Sequence, residues 1–475
     1  MNNLVEKLFK LTDNKTNVRT EMLAGLTTFM TMAYILAVNP GILSASGMPK
    51  GGIFLATALA AALGSLLMAF FSNYPFVLAP GLGLNAFFSY TVVLTMGYSW
   101  QFALLAVFVE GLIFLILSLT PVRRAIFNSI PISLKTAVAV GIGLFITFIA
   151  LQGAKVIVNN DATLVGMVSF HNSDFHTTGI WALLALIGTV LTAVMVVKKV
   201  KAAILLGIFA TWFLGIISEL VGIYTPNPAA GFFSIVPRFG NYFSDLGNTF
   251  SEFGITFGAL FNSGSWTHTQ GGAVVGQGWS LVTSLDFFVV MFAFFFVDLF
   301  DTLGTLIGVS MKGGFLKDGK LSRINGALCA DSIATSAGAI LGTSTTTTYV
   351  ESASGVAAGG RTGLTSVGAA GLFLASILLA PIFLAVPSFA TAPALMIVGF
   401  YMVSSVVKIN FSSYGEAIPA FICIAGMPLT YSISDGIMLG VVSYTVINLL
   451  TGKRKRVNYV MGILSILFVL KYALM

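Results

Sequence analysis

The chain has 475 residues, of which 57% are hydrophobic and only 9% charged, with a net charge of +7 and a mean hydropathy of +0.95. A soluble domain carries about 25% charged residues, so the composition excludes one and indicates a helical chain that crosses a membrane many times. The basic excess is no nucleic-acid footprint, because Lys and Arg cluster in short loops between apolar stretches.

The opening stretch, LVEKLFKLTDNKTNVRTE, is polar and amphipathic and has no small-residue cleavage site, so no cleavable leader is expected. A span needs about 20 apolar residues, or fewer where it is broken. Fourteen are expected, at roughly 21–38, 52–71, 78–95, 101–119, 133–152, 178–197, 202–223, 284–306, 323–341, 345–359, 364–386, 390–407, 414–431 and 433–450. Basic residues follow the even-numbered ones: Arg123 and Arg124; Lys198, Lys199 and Lys201; Lys312, Lys317, Lys320 and Arg323; Arg361; Lys408; and Lys453 to Arg456. That parity places both termini in the cytoplasm. A last apolar stretch, 459–475, is short and holds Lys471; it reads as an interfacial or packed helix, with a fifteenth span as the alternative.

The segment 225–283 is rich in Gly, Ser, Asn and Phe and falls on the outer side, with an amphipathic surface helix expected around Thr249–Phe261. It separates two sets of seven spans, 1–224 and 284–475. Seven is odd, so a second copy would sit inverted relative to the first, as in many secondary transporters. The third span of each set is irregular. One begins VLAPGLGLNAFFSY, where Pro80, Gly81 and Gly83 prevent a regular helix start. The other begins with Thr345 to Thr348, whose β-branching favours extended backbone. Broken spans in corresponding places point to a binding site near the membrane midplane.

Glu351 lies in that second break among small residues, and a carboxylate at membrane depth is a functional-site hypothesis by default. The stretch FFFVDLFDTLGTLIG holds Asp298 and Asp301, three apart and thus on neighbouring positions of one helix face. Asp331 is a further intramembrane carboxylate, for which a polar tie between helices competes with a ligand role. Asn85 offers both donor and acceptor to a ligand edge, against a plain capping role. Phe87 and Phe88 could stack on a planar ligand, yet most of the 41 phenylalanines must be core or lipid-facing. Thr27, Thr28, Thr31 and Tyr34 form a polar stripe best read as helix packing. Glu110 and Glu219 are weaker candidates. Cys329 and Cys423 suggest neither a disulfide nor a metal site, and His171, His176 and His268 fall in predicted loops.

No nucleotide-binding or hydrolase motif occurs, and no cofactor is called for. Paired intramembrane aspartates also occur in proteases, but neither Asp298 nor Asp301 stands in a GxGD context. Nothing reads as a pore loop or charged ring.

The segment TSTTTTYVESASGVAAGGRTG resembles the tenth-span signature of the nucleobase–ascorbate class of cation symporters. Together with APGLGLNAFF and FVDLFDTLGT, it is similar to the AzgA-like branch, the purine permeases for hypoxanthine, guanine and adenine. The resemblance covers nearly the whole chain. It implies an all-α membrane fold of fourteen transmembrane segments in two inverted seven-span repeats. Spans one to four and eight to eleven would form a core, and five to seven with twelve to fourteen a gate. It also implies proton-coupled uptake, often by a homodimer. Glu351 matches the residue that hydrogen-bonds the base, with Ser352 in the place of the Asn usual in other branches. Asp301 with Thr305 fits one alignment of the eighth span; the FVDxxDT pattern also gives Asp298 a binding role, and both stay open. Asp331 and Asn85 match the branch's ninth-span Asp and third-span Asn. Asp301, Asp298 and Asp331 are the candidates for proton coupling. An anion exchanger of the same seven-plus-seven fold is the alternative, against which stand the buried carboxylates with no buried Arg or Lys beside them.

Overall fold

The computed structural model describes residues 2–120, 131–171, 174–237, 239–317, 320–321 and 323–474. Among them, eleven helices are long and apolar enough to cross a membrane, and shorter apolar helices cover 82–95, 414–430 and 459–470. The chain is a mostly helical polytopic membrane protein. Arg123 and Arg124 lie outside the described residues.

In chain order the helices are α1 (Asn2–Phe9), α2 (Val18–Met32), α3 (Ile35–Leu43), α4 (Lys50–Ser72), α5 (Leu82–Ala86), α6 (Trp100–Ser118), α7 (Ile132–Gly153), α8 (Ile180–Val197), α9 (Ala203–Leu220), α10 (Tyr242–Thr256), α11 (Leu285–Gly313), α12 (Ile324–Leu341), α13 (Ser352–Ala357), α14 (Gly363–Ala375), α15 (Ser388–Val403), α16 (Tyr414–Thr430), α17 (Ile433–Leu450) and α18 (Tyr459–Leu474). The closest packing falls into two sets. Helix α4 packs on α12 and α14, α6 on α11 and α12, and α14 on α2; separately, α7 packs on α15 and α16, α8 on α9 and α15, and α16 on α17. Small residues permit the approach. A Cβ on Gly363 of α14 would lie 2.6 Å from the Ala69 carbonyl oxygen of α4, and one on Gly111 of α6 would lie 2.4 Å from Ser336 Oγ of α12.

Strand β1 (Leu78–Pro80) leads into α5, and the chain then continues as a π-helical run over Phe87–Thr95. Strand β2 (Thr346–Thr348) precedes α13. The two strands are antiparallel, with Leu78 opposite Thr348 and Pro80 opposite Thr346, and all six residues are buried. Gly81 N–H donates to the Thr345 carbonyl at 2.9 Å and Tyr349 N–H to the Val77 carbonyl at 3.0 Å. This ladder supplies backbone partners that hydrocarbon would not, and Pro80, which has no N–H, sits at its end.

The structure differs from the sequence reading in three places. The surface helix is Tyr242–Thr256 rather than Thr249–Phe261, because Phe257 turns extended and Gly258 takes a φ of +66°. It docks on the first set: Gly51 N–H, in the first turn of α4, donates to Glu252 Oε2 at 2.6 Å. Helix α11 runs to Gly313, beyond the expected end at 306. The first stretch is interrupted at Ala33–Tyr34 and resumes as α3. The terminal stretch is a helix packed on α17, with Ser465 Oγ donating to Thr445 Oγ1 at 2.7 Å.

Candidate substrate site

The crossing of β1 and β2 bounds a chamber of about 90 Å³. Tyr34, Gly81 to Leu84, Val297, Asp301, Thr305 and Thr347 to Glu351 line it from the first helix set, and Ile142, Val398 and Met402 from the second. Glu351 stands where β2 turns into α13, and Tyr34 Oη donates to its Oε1 at 2.7 Å. Tyr34 is itself buried and sits at the interruption between α2 and α3. Asp301 stands on α11, where Thr347 Oγ1 of β2 reaches its Oδ2 at 3.4 Å. The Tyr349 hydroxyl donates to the Pro80 carbonyl and so ties β2 to the end of β1.

A larger cavity of about 410 Å³ shares Ile142, Val297, Asp301, Thr305, Val350, Glu351, Val398 and Met402 with the chamber and extends to Lys135, Ser405 and Lys408. The chamber itself is lined by carboxylates, hydroxyls and apolar groups, with no Lys or Arg among the described residues. A neutral planar ligand with hydrogen-bond donors on its edge suits it: the carboxylates accept, and the aliphatic side chains offer flat cover.

Glu351, Asp301 and Thr305 thus meet at one cavity, while the other expected residues stand elsewhere. Asp298 is completely buried and turns away from the chamber toward Thr302, whose hydroxyl lies 3.2 Å from its Oδ1. The same hydroxyl lies 3.0 Å from each carboxylate oxygen of Asp331. Three residues along a helix differ by about 60° in direction, enough to send Asp301 to the cavity and Asp298 to the interface with α6 and α12. Asn85 is also fully buried; its Nδ2 donates to the Pro80 carbonyl at 3.4 Å and its Oδ1 has no partner. Ser352 accepts from Val77 N–H at 3.0 Å, joining α13 to the residue before β1. Phe87 packs edge-on against Phe294 at 4.7 Å, and both Phe87 and Phe88 are core residues. Glu219 accepts from Ile235 N–H and Ser234, anchoring a loop.

Sequence reasoning put Tyr34 among the packing residues. Thr27, Thr28 and Thr31 do bond back to carbonyls of their own helix, as such stripes do, but the longer Tyr34 crosses to Glu351. A mid-span tyrosine whose hydroxyl needs a buried partner was the available signal.

A family model described as "Permease family" matches residues 19–439, which take in every residue of this chamber. The chain belongs to the Permease family. Its relatives span the permease nearly end to end. The guanine/hypoxanthine permease PbuG of Bacillus subtilis is 40% identical over 478 residues, covering 98% of this chain and 99% of that protein. The adenine permease AdeP of Escherichia coli is 39% identical over 473 residues, covering 98% and 96%. These relatives agree with the resemblance to purine permeases read from the sequence motifs. Among solved structures, the transmembrane domain of a cyanobacterial bicarbonate transporter, BicA, matches with a TM-score of 0.57 at 15% identity, covering 90% of this chain and 97% of that one. At that identity the likeness concerns the fold alone.

Proposed function

We propose that the chain carries purine nucleobases (hypoxanthine, guanine or adenine) across the cytoplasmic membrane together with protons, by alternating access. The observation that carries the reading is the shared chamber of Glu351 and Asp301, walled by both helix sets. A purine presents ring N–H donors along one edge, and two carboxylates at a buried site accept such donors at about 1–3 kcal/mol for each bond to a charged group. Thr305 completes the polar side. Asn85 and Ser352 shape the site from behind. The named relatives act on guanine, hypoxanthine and adenine, which supports this substrate class.

The fourteen expected spans correspond to the eleven long helices and the short or broken ones between them. In this reading residues 1–224 and 284–475 form the two inverted repeats, 225–283 connects them outside, and both termini are cytoplasmic. The first helix set is the core that carries the base and the second is the gate. The larger cavity, ending at Lys135 and Lys408, is then an inward-facing vestibule. A proton on Asp301, Asp298 or Asp331 removes charge that the membrane interior disfavours, and base and proton together license movement of the core.

Uptake of labelled hypoxanthine by cells that lack their own purine permeases tests the reading. Excess unlabelled purine should abolish the signal, whereas sulfate and bicarbonate should leave it unchanged. Competition by the anions instead would assign the chain to anion exchange.

A further inference from the structure

The chamber accounts for Glu351 and Asp301 but leaves a second group of carboxylates unused. Glu110 of α6, Asp298 of α11 and Asp331 of α12 are all completely buried. Glu110 and Asp298 lie within hydrogen-bonding reach of each other, and Asp331 acts on Glu110 from α12. Helix α6 packs on both α11 and α12 and approaches α12 closely where Gly111 meets Ser336.

Among the described residues, the donors around Glu110 and Asp298 fall short. Thr302 has a single hydroxyl hydrogen, and three carboxylate oxygens stand 3.0–3.2 Å from its Oγ1. The nearby hydroxyls of α12 are engaged elsewhere: Ser332 donates to the Leu328 carbonyl, Ser336 to the Ser332 carbonyl and Thr335 to the Thr346 carbonyl. Both oxygens of Glu110 and Oδ2 of Asp298 are buried without any donor. The further charged group acting on Asp298 is Asp301, again a carboxylate. Two carboxyl groups in contact attract only when a proton lies between them, and two bare negative charges in a dry interface would each cost several kcal/mol.

We propose that Glu110 and Asp298, beside Asp331, form a proton store separate from the base chamber, holding one shared proton in this conformation, with Glu110 indispensable to coupling. The proposal rests on the reading of the chain as a proton-coupled purine carrier. The step is a plain protonation: a carboxylate takes a proton arriving from outside and returns it inside as a carboxylate, with no other bond made or broken. The link to the base is α11, because Asp298 and Asp301 lie three residues apart on it. Loss of the stored proton puts a new negative charge beside the one facing the base, so an unprotonated store and a firmly held anionic site disfavour each other.

The test uses the full-length protein in sodium-free proteoliposomes with labelled hypoxanthine. Glu110→Gln should bind hypoxanthine within about twofold of the parent and support exchange of labelled for unlabelled base. It should lose accumulation driven by an imposed pH gradient, and Glu110→Asp should restore part of it. Infrared spectra of the parent at neutral pH should show a buried carboxylic-acid C=O band, which Glu110→Gln or Asp331→Asn removes or shifts. Accumulation by Glu110→Gln equal to the parent's would overturn the proposal, as would absence of the acid band from the parent, a measurement that needs no variant. Loss of exchange along with accumulation in a folded Glu110→Gln protein would make the residue structural. A parent that moves no purine at all would refute the transport reading instead.

Discussion

Glu351 and Asp301 share a cavity but not their partners. Glu351 receives a 2.7 Å bond from Tyr34, while Asp301 has a longer contact with Thr347, at 3.4 Å. Glu351→Gln keeps the shape and removes the charge, so hypoxanthine affinity should fall roughly ten- to hundredfold, for a loss of about 1–3 kcal/mol, with some transport remaining. Tyr34→Phe leaves Glu351 without its donor and should weaken binding about tenfold, as read by titration of the purified protein. Asp298→Asn should leave binding near the parent level but abolish accumulation, because Asp298 stands outside the chamber. If Asp298→Asn lost affinity as Glu351→Gln does, Asp298 would belong at the base. The sequence already singled out Glu351 and Asp301 from the rarity of carboxylates in apolar stretches, and the family resemblance added Thr305. It could not rank Asp298 against Asp301, since helix rotation, set by packing against α6 and α12, decides which of two residues 60° apart meets the cavity.

At the scale of elements, the extended backbone of β1 and β2 was legible because Pro, Gly and β-branched residues restrict the backbone locally. The pairing of β1 with β2 was not, since it joins residues far apart in the chain and no local preference records a register. The same limit hid the role of Glu21. It is fully buried and its carboxylate accepts from Arg361 N–H at 2.9 Å, Thr362 N–H at 3.2 Å and Thr365 Oγ1 at 2.6 Å, fixing the start of α14 against α2. Glu21→Ala orphans two backbone donors and should destabilise the protein by about 3 kcal/mol, lowering its thermal unfolding midpoint in detergent while the folded fraction still binds hypoxanthine. An unchanged midpoint would show that water replaces the carboxylate at that joint.

For the whole molecule, the account requires a base chamber that opens to one side at a time. Thr305 lines both cavities, and Ser405 lines only the larger one. A maleimide added from the cytoplasmic side should label Thr305→Cys and Ser405→Cys, and hypoxanthine should slow labelling of Thr305→Cys by about tenfold with little effect on Ser405→Cys. Labelling of Ser405→Cys from outside alone would invert the proposed orientation. Overall hydropathy made the polytopic character legible, whereas the partition into two helix sets depends on contacts between distant helices. The central claim, that proton and purine move together through this chamber, is tested most directly by accumulation of labelled hypoxanthine in sodium-free proteoliposomes. With an acidic exterior and a neutral lumen, the account predicts uptake well above equilibrium that collapses on addition of a proton ionophore. Uptake that merely equilibrates under that gradient, or that concentrates only when sodium is supplied, would contradict it.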